Sequence, residues 1–224
     1  MRYLLIEDSA EVAVPILRYF QAKGYAIDHA DTIKLAKASL QVQDYDAVIL
    51  DLNMPDGNGM DLLVQLRRER NQHPPVLVLS VNHAVDTRLK SFESGANDYL
   101  LKPFDLRELD ARLRNLLTPP VGATGRVLRL GELELDFHER QITFRGELLQ
   151  LSPKDFTLLE VLLVNANRPV SKSMLQDKLY GFGDGAVSPN AIELRIARIR
   201  KKLQPTGVGI KALWGIGYQI KLDD

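Results

Sequence analysis

Through the first half of the chain, short and mostly apolar runs alternate with longer stretches whose apolar residues recur every three or four positions. The runs cover residues 3–6, 25–30, 47–50, 76–79 and 99–101, and turn residues bound them. This is the pattern of strands buried on both faces. After the first run, Ser9 is placed to cap a helix whose apolar face is Val12, Ile16, Leu17 and Phe20, and Gly24 closes it. Further helices are predicted over 33–40, 62–70, 85–94 (stopping at Gly95) and 106–117, the last with Leu106, Leu109, Leu113 and Leu116 on one face. Five strands alternating with five helices predict an α/β domain with a parallel, doubly wound sheet.

The pattern changes after residue 117. Residues 118–125 carry no charge and are rich in Pro and Gly, as a short tether between domains would be. From 127 to 151 apolar and polar residues alternate in short segments, which predicts a small antiparallel sheet. Ser152, Pro153 and Asp155 then give a helix start of cap, proline and acid, with Phe156, Leu159, Leu162 and Leu163 on the buried face. Ser171 caps a second helix running to about Tyr180, and 181–188 is a glycine-rich loop. No buried strand precedes those glycines, so they form no phosphate cradle. A third helix is predicted over 190–203, and two strands, 210–214 and 218–222, flank Gly215-Ile216-Gly217. The domains expected are therefore 1–117, a linker at 118–125, and an α+β domain at 126–224.

Composition excludes some chemistry. With no cysteine there is no disulfide framework and no thiolate nucleophile or metal ligand. No apolar stretch reaches the length of a membrane span, so the expectation is a cytoplasmic protein without membrane contact. The zero net charge hides an asymmetry: residues 1–117 carry 14 Lys/Arg against 17 Asp/Glu, a balance of −3, and 126–224 carry 15 against 12, a balance of +3. The predicted third helix alone holds Arg195, Arg198, Arg200, Lys201 and Lys202 against Glu193.

Candidate chemistry sits at the strand ends. Glu7 and Asp8 end the first strand, Asp51 the third, Ser80 the fourth and Lys102 the fifth. In a parallel sheet these ends share one edge, where open α/β sheets place their reactive groups. Converging carboxylates disfavour one another's ionisation unless a cation intervenes. Mg²⁺ suits such an oxygen site and keeps waters exchangeable for phosphate oxygens. His29, His73 and His83 lack partners at metal-ligand spacing and read as surface residues.

Ile6-Glu7-Asp8, Leu50-Asp51-Leu52-Asn53-Met54-Pro55, Leu79-Ser80 and the run from Gly95 to Phe104 resemble, in order and spacing, the receiver domain of two-component response regulators. The resemblance covers 1–117 and implies the strand order 2-1-3-4-5. It further implies that Asp51 accepts phosphate from a sensor histidine kinase, with Mg²⁺ bound by Glu7, Asp8, Asp51 and the Asn53 backbone carbonyl. Ser80 and Lys102 would hold phosphoryl oxygens, Tyr99 would turn inward behind them, and the Lys102–Pro103 bond would be cis. Where the family usually has Ala or Gly after the serine, Val81 stands here, which suggests restricted access and a longer-lived phosphate. On the last two receiver helices, family positions suggest a symmetric homodimer on phosphorylation that pairs Arg88 with Glu108, Asp98 with Arg112 and Glu93 with Arg114 across two chains. Glu108–Arg112 and Asp110–Arg114 are also spaced to pair within one helix, and both arrangements stand together.

The run from Leu151 to Phe156, residues 195–203 and Gly215-Ile216-Gly217-Tyr218 resemble the winged helix-turn-helix effector of OmpR/PhoB-type regulators. That implies a third helix in the major groove of promoter DNA, with RNA polymerase as a further partner. Leu194, Ala197, Arg198 and Lys201 would face the bases, Arg198 being the best candidate for a base edge, and Leu194 suits a thymine methyl. Arg195, Arg200 and Lys202 would hold phosphates. Trp214 and Tyr218 complete the expected DNA surface, but Trp214 replaces a common Arg of the wing. The expectation is that it packs under the wing, leaving the minor-groove contact in doubt. Ala197 also stands where a basic residue is common, so each subunit is expected to bind modestly. Two other readings compete: a phosphohydrolase working through an Asp51 phosphoenzyme, which Asn53 in place of a second Asp disfavours, and an adaptor acting by protein contact alone.

Overall fold

In the computed structural model, which describes residues 1–69, 74–117, 127–185, 187–188 and 190–223, the elements of the first half run as follows. They are β1 (Arg2–Ile6), α1 (Ala10–Ala22), β2 (Ala26–Ala30), α2 (Ile33–Val42), β3 (Ala47–Asp51), β4 (Asn53–Met54), β5 (Gly57–Asn58), α3 (Gly59–Glu69), β6 (Val76–Ser80), α4 (Val85–Glu93), β7 (Asp98–Leu101) and α5 (Leu106–Leu117). The expected linker 118–125 and His73 lie outside the described residues. The long strands form one sheet in the order β2-β1-β3-β6-β7, which is the 2-1-3-4-5 order with the short pair β4–β5 counted separately. β3 lies between β1 and β6, and both pairings are parallel, as is that of β6 with β7.

β3 and β6 carry their long apolar runs because both faces of each are covered. Leu4, Ile6, Val48, Leu50, Val76 and Val78 pack into one core with Ile33, Ala36, Leu62 and Leu66 from α2 and α3. The alternating set, Tyr3, Leu5, Ile49, Leu77 and Leu79, is buried as well, as are Ile16 and Phe20 of α1 and Leu109 and Leu113 of α5. Tyr3 meets Phe20 edge to face at 5.4 Å.

One element was absent from the sequence reading. Beyond the end of β3, Asn53–Met54 pairs with Gly57–Asn58 in a tight hairpin. Its Asp56 carboxylate accepts from the amides of Ile33 (2.8 Å) and Lys34 (3.0 Å), satisfying the first donors of α2 from outside that helix. The same bonds hold the Asp56 carboxyl below its usual range. Gly59 closes the hairpin onto the end of β3, because a Cβ there would meet the Asp51 carbonyl oxygen at 2.4 Å.

The second half holds β8 (Val127–Leu130), β9 (Leu133–Asp136), β10 (Gln141–Phe144), β11 (Glu147–Leu148), α6 (Pro153–Val164), α7 (Lys172–Leu179), α8 (Ala191–Leu203), β12 (Val208–Leu213) and β13 (Gly217–Leu222). β11-β10-β9-β8 is the expected antiparallel sheet, and β12–β13 is the terminal hairpin. Both predicted caps form: Ser152 accepts from the Asp155 amide and Ser171 from the Met174 amide. A separate core gathers Leu158, Leu159 and Leu162 of α6, Leu175 and Leu179 of α7, Ile192, Ile196, Ile199 and Leu203 of α8, and Ile210 and Ile220 of the hairpin. No helix of the described chain is long and apolar enough to cross a membrane.

Candidate functional site

Strand register assembles the polar edge of the first half. Ile6 lies opposite Leu50, Asp51 opposite Leu79, and Ser80 opposite Leu101, so the residues that follow each strand come side by side. Glu7, Asp8 and Asp51 each offer a carboxylate oxygen, all within 4.8 Å of one another; Glu7 and Asp51 are buried and Asp8 is exposed. Among them the Lys102 ammonium donates to Glu7 Oε2 at 2.6 Å and Asp51 Oδ2 at 2.5 Å. Burial pushes the Glu7 carboxyl above its usual range, Lys102 works against that, and the Asp51 charge adds to it. For Lys102 burial opposes the charge, but the two carboxylates outweigh it and hold the ammonium above its ordinary value.

Backbone amides fix the other carboxylate oxygens. Asn53 N–H donates to Asp51 Oδ1 (2.9 Å) and Ser9 N–H to Glu7 Oε1 (3.2 Å). His29 and His83 are exposed, as the sequence suggests, and the His29 ring donates from Nε2 to the Glu7 carbonyl at 2.7 Å. Three hard oxygen donors, one of them open to water, match what a small divalent cation requires. The residues present therefore fit the acidic metal pocket of a receiver.

Ser80 is buried, and its Oγ accepts from the Asn82 amide at 3.1 Å. Tyr99 is turned inward, its hydroxyl donating to the Asn82 carbonyl at 2.8 Å. Serine and tyrosine thus both hold the loop that follows β6. The Lys102–Pro103 bond is cis. Val81 is 59 % exposed. It borders a cleft of about 440 Å³ that also meets Val12, Ile16, Lys102, Pro103 and Phe104.

On α5, Arg112 and Arg114 make their ion pairs within the chain. Arg112 donates to both Asp98 oxygens (3.1 and 3.0 Å) and to Glu108 Oε1. Arg114 pairs with the buried Asp110 at 3.5 Å. The Asp98–Arg112 pair that the sequence assigns across two chains is made here inside one. A signal the sequence reading passed over lies beside it: Val85, Leu89 and Phe92 of α4, at i, i+4 and i+7, are all exposed, while the helix buries Ser91. That spacing was legible, but it reads as a core face until the helix is placed.

In the second half, α8 turns Leu194, Ala197, Arg198, Arg200, Lys201 and Lys202 outward. Arg200 keeps one tie, from Nε to the Ile210 carbonyl at 2.9 Å, which fastens α8 to β12. Arg195 departs from the expected phosphate role. It points inward, with Nη1 to Asp155 at 2.7 Å and Nε to the Tyr180 hydroxyl at 3.1 Å, so it joins α8 to α6 and the end of α7. Burial disfavours its charge, and Tyr180 and Asp155 restore it. Trp214 also departs from expectation. It does not pack under the wing; it is fully exposed at the turn between β12 and β13, because the hairpin carries its tip away from any neighbour. Tyr218 is half-buried, and its backbone bridges Val170 through two 2.8 Å bonds.

The first half thus carries a cluster of three carboxylates and a lysine at the edge of a doubly wound sheet, and the second a helix with an exposed basic face fastened to a β-hairpin. Residues 3–114 match the family model described as response regulator receiver domain, and 146–220 match that of transcriptional regulatory protein, C terminal. The chain is 41 % identical over 225 residues to the transcriptional regulatory protein TctD of Salmonella typhimurium, covering 100 % of this chain and 99 % of that one. It is 39 % identical to the transcriptional regulatory protein QseB of Escherichia coli O157:H7, covering 98 % and 99 %. Among solved structures it is similar to a Francisella response regulator receiver domain, with 31 % identity, a TM-score of 0.50, and coverage of 52 % of this chain and 95 % of that one. The chain belongs to the OmpR/PhoB-type response regulators, the DNA-binding transcription regulators of two-component systems.

Proposed function

We propose that Asp51 is the phosphoryl acceptor and that its modification governs DNA binding by α8. The observation that carries this is the Lys102 ammonium held between Glu7 and Asp51 at the edge of the sheet. An Asp51 carboxylate oxygen forms the new O–P bond as the P–N bond to a sensor kinase's phosphohistidine breaks. Lys102 shifts its hydrogen bond from Asp51 to a phosphoryl oxygen, and the Ser80 hydroxyl leaves the Asn82 amide to donate to another. Glu7, Asp8, Asp51 and the Asn53 carbonyl would hold Mg²⁺, which when bound would supply positive charge beside the phosphoryl oxygens. Tyr99, already inward, keeps its hydroxyl on the Asn82 carbonyl as that loop moves.

The change is passed on through α4, β7 and α5. There the exposed Val85, Leu89 and Phe92, flanked by Arg88, Glu93, Asp98, Glu108, Arg112 and Arg114, form a self-complementary face for a second copy. Pairing two effectors on tandem half-sites raises affinity through effective concentration without new contacts to DNA. Arg198 reads a base edge, Leu194 a methyl, Lys201 lies on the same face, and Arg200 and Lys202 hold phosphates, with RNA polymerase as the partner at the promoter. The functional boundaries are 1–117 for the receiver, 118–125 for the tether and 126–224 for the effector.

The test is phosphoryl incorporation from phosphoramidate, with and without EDTA, in wild type and Asp51→Asn. Label that requires both magnesium and Asp51 supports the assignment. Equal label in the variant contradicts it.

A further inference from the structure

Of the oxygen donors assigned to the metal pocket, the Asn53 carbonyl differs in kind. It belongs to the main chain, so no rotamer can bring it into place, and only the path of residues 53–58 sets where it sits. That path is a hairpin of two residues a side, Asn53 opposite Asn58 and Met54 opposite Gly57, too short to hold its own shape in water. Its inner end is tied to β3: the Asn53 amide donates to Asp51 Oδ1 and the Gly59 amide to the Leu52 carbonyl, both at 2.9 Å. Its outer end is held by α2. The two oxygens of the exposed Asp56 accept from the amides of Ile33 and Lys34 at 2.8 and 3.0 Å, and a Cβ on Gly57 would meet Ile33 Cδ1 at 3.1 Å. Met54 is buried in the core that includes Ile33. The helix has a cap of its own in Thr32, whose side chain accepts from the Leu35 amide at 3.3 Å. The Asp56 bonds therefore do more for the hairpin than for α2.

We propose that Asp56 is a positioning residue of the metal pocket: it holds the Asn53 carbonyl where a divalent cation can take it as a ligand, and so sets the affinity for that cation. The inference rests on the reading of Glu7, Asp8, Asp51 and Asn53 as the metal's ligands. Asp56 is no ligand itself, because α2 amides already occupy both its oxygens and it lies outside the three carboxylates that converge. Without it the hairpin tip loses its charged anchor, and part of the binding free energy goes into ordering the chain when the cation arrives. Groups that orient a metal's ligands commonly account for about ten- to hundredfold in affinity. Asp56 stands in solvent and acts through the backbone, which puts its effect at the lower end, about tenfold.

The test uses the full unphosphorylated chain with Mn²⁺ alone as the probe, binding being read from loss of the free ion's EPR signal. Asp56→Ala should bind Mn²⁺ about tenfold more weakly than wild type, and by the same factor in low and high salt. Asp56→Asn, which keeps one acceptor, should fall between the two. Thr32→Ala weakens the same helix at its other cap and leaves the hairpin alone, so it should bind Mn²⁺ as wild type does. When phosphoryl label from phosphoramidate is followed against Mg²⁺ concentration, the loss in Asp56→Ala should lie in the midpoint, about tenfold higher, rather than in the plateau. Mn²⁺ affinity of Asp56→Ala within twofold of wild type overturns the proposal and leaves the pocket standing. So does a deficit that high salt abolishes, which would mark it as the remote pull of a surface charge. An equal loss in Thr32→Ala also overturns it, because α2 and not the hairpin would then be at issue. Wild type that binds no Mn²⁺ overturns both the proposal and the ligand reading beneath it.

Discussion

Removing the Lys102 charge should destabilise the receiver half, and magnesium should restore much of the loss. The ammonium touches Glu7 and Asp51 at 2.6 and 2.5 Å, and the three side chains are 13 %, 0 % and 7 % exposed. Lys102→Met keeps most of the stem's volume but leaves two buried carboxylates facing each other without a cation. Losing one partner of a buried pair costs about 3–5 kcal/mol. Partial solvent access at Lys102, and the readiness of Glu7 to take up a proton, place the cost near the lower end, about 3 kcal/mol. For a domain of this size that corresponds to a melting temperature lower by roughly 10 °C in EDTA. Magnesium at a hundred times its dissociation constant returns about 2.7 kcal/mol. The gain should exceed that of wild type, because the ammonium no longer opposes the metal. Differential scanning calorimetry of the full chain, following the receiver transition with EDTA and with magnesium, measures both effects. A drop under about 3 °C, or a drop that magnesium leaves untouched, would refute the reasoning.

Further tests follow from the same geometry. The folded state binds the Glu7 proton more tightly than the unfolded chain does, so that contribution is complete below the ordinary glutamate value of 4.5 and is lost as pH rises through the raised value. In EDTA, the unfolding free energy of wild type relative to Glu7→Gln should fall as pH rises above 4.5; a flat difference would show that burial does not perturb Glu7. Arg195→Ala should lower the effector melting transition by breaking the buried Asp155 pair, at about 3 kcal/mol, without changing the salt slope of DNA binding. Arg198→Ala should leave that transition in place and weaken DNA binding with relaxed sequence preference, a contrast that melting curves and binding isotherms together decide. Val81→Ala, which opens the approach beside Ser80, should speed loss of label from phosphorylated protein; an unchanged rate would remove Val81 from the account.

The sheet was legible because β1, β3 and β6 are buried on both faces and run abruptly into polar residues, so period and punctuation agree there. The acidic edge followed from that order alone. The β4–β5 hairpin was not legible, since two-residue strands have no period and Pro55-Asp56-Gly57 reads as a turn. Arg195 lies on the flank of α8, where helical geometry alone cannot choose between solvent and interior. Its choice is made by Asp155, forty residues earlier, and by Tyr180. Trp214 misled for a simpler reason: an apolar ring argues for burial, and only the reach of the hairpin shows that nothing lies near it. On α4 the same logic ran in reverse, with an apolar stripe at helical spacing facing outward.

On the proposed function, phosphate on Asp51 controls the grip of α8 on DNA. That control is tested most directly by measuring affinity for a self-selected duplex, with magnesium, before and after phosphoryl donor, in wild type and Asp51→Asn. Tighter binding is expected only for treated wild type. Equal affinity in all four samples would contradict it.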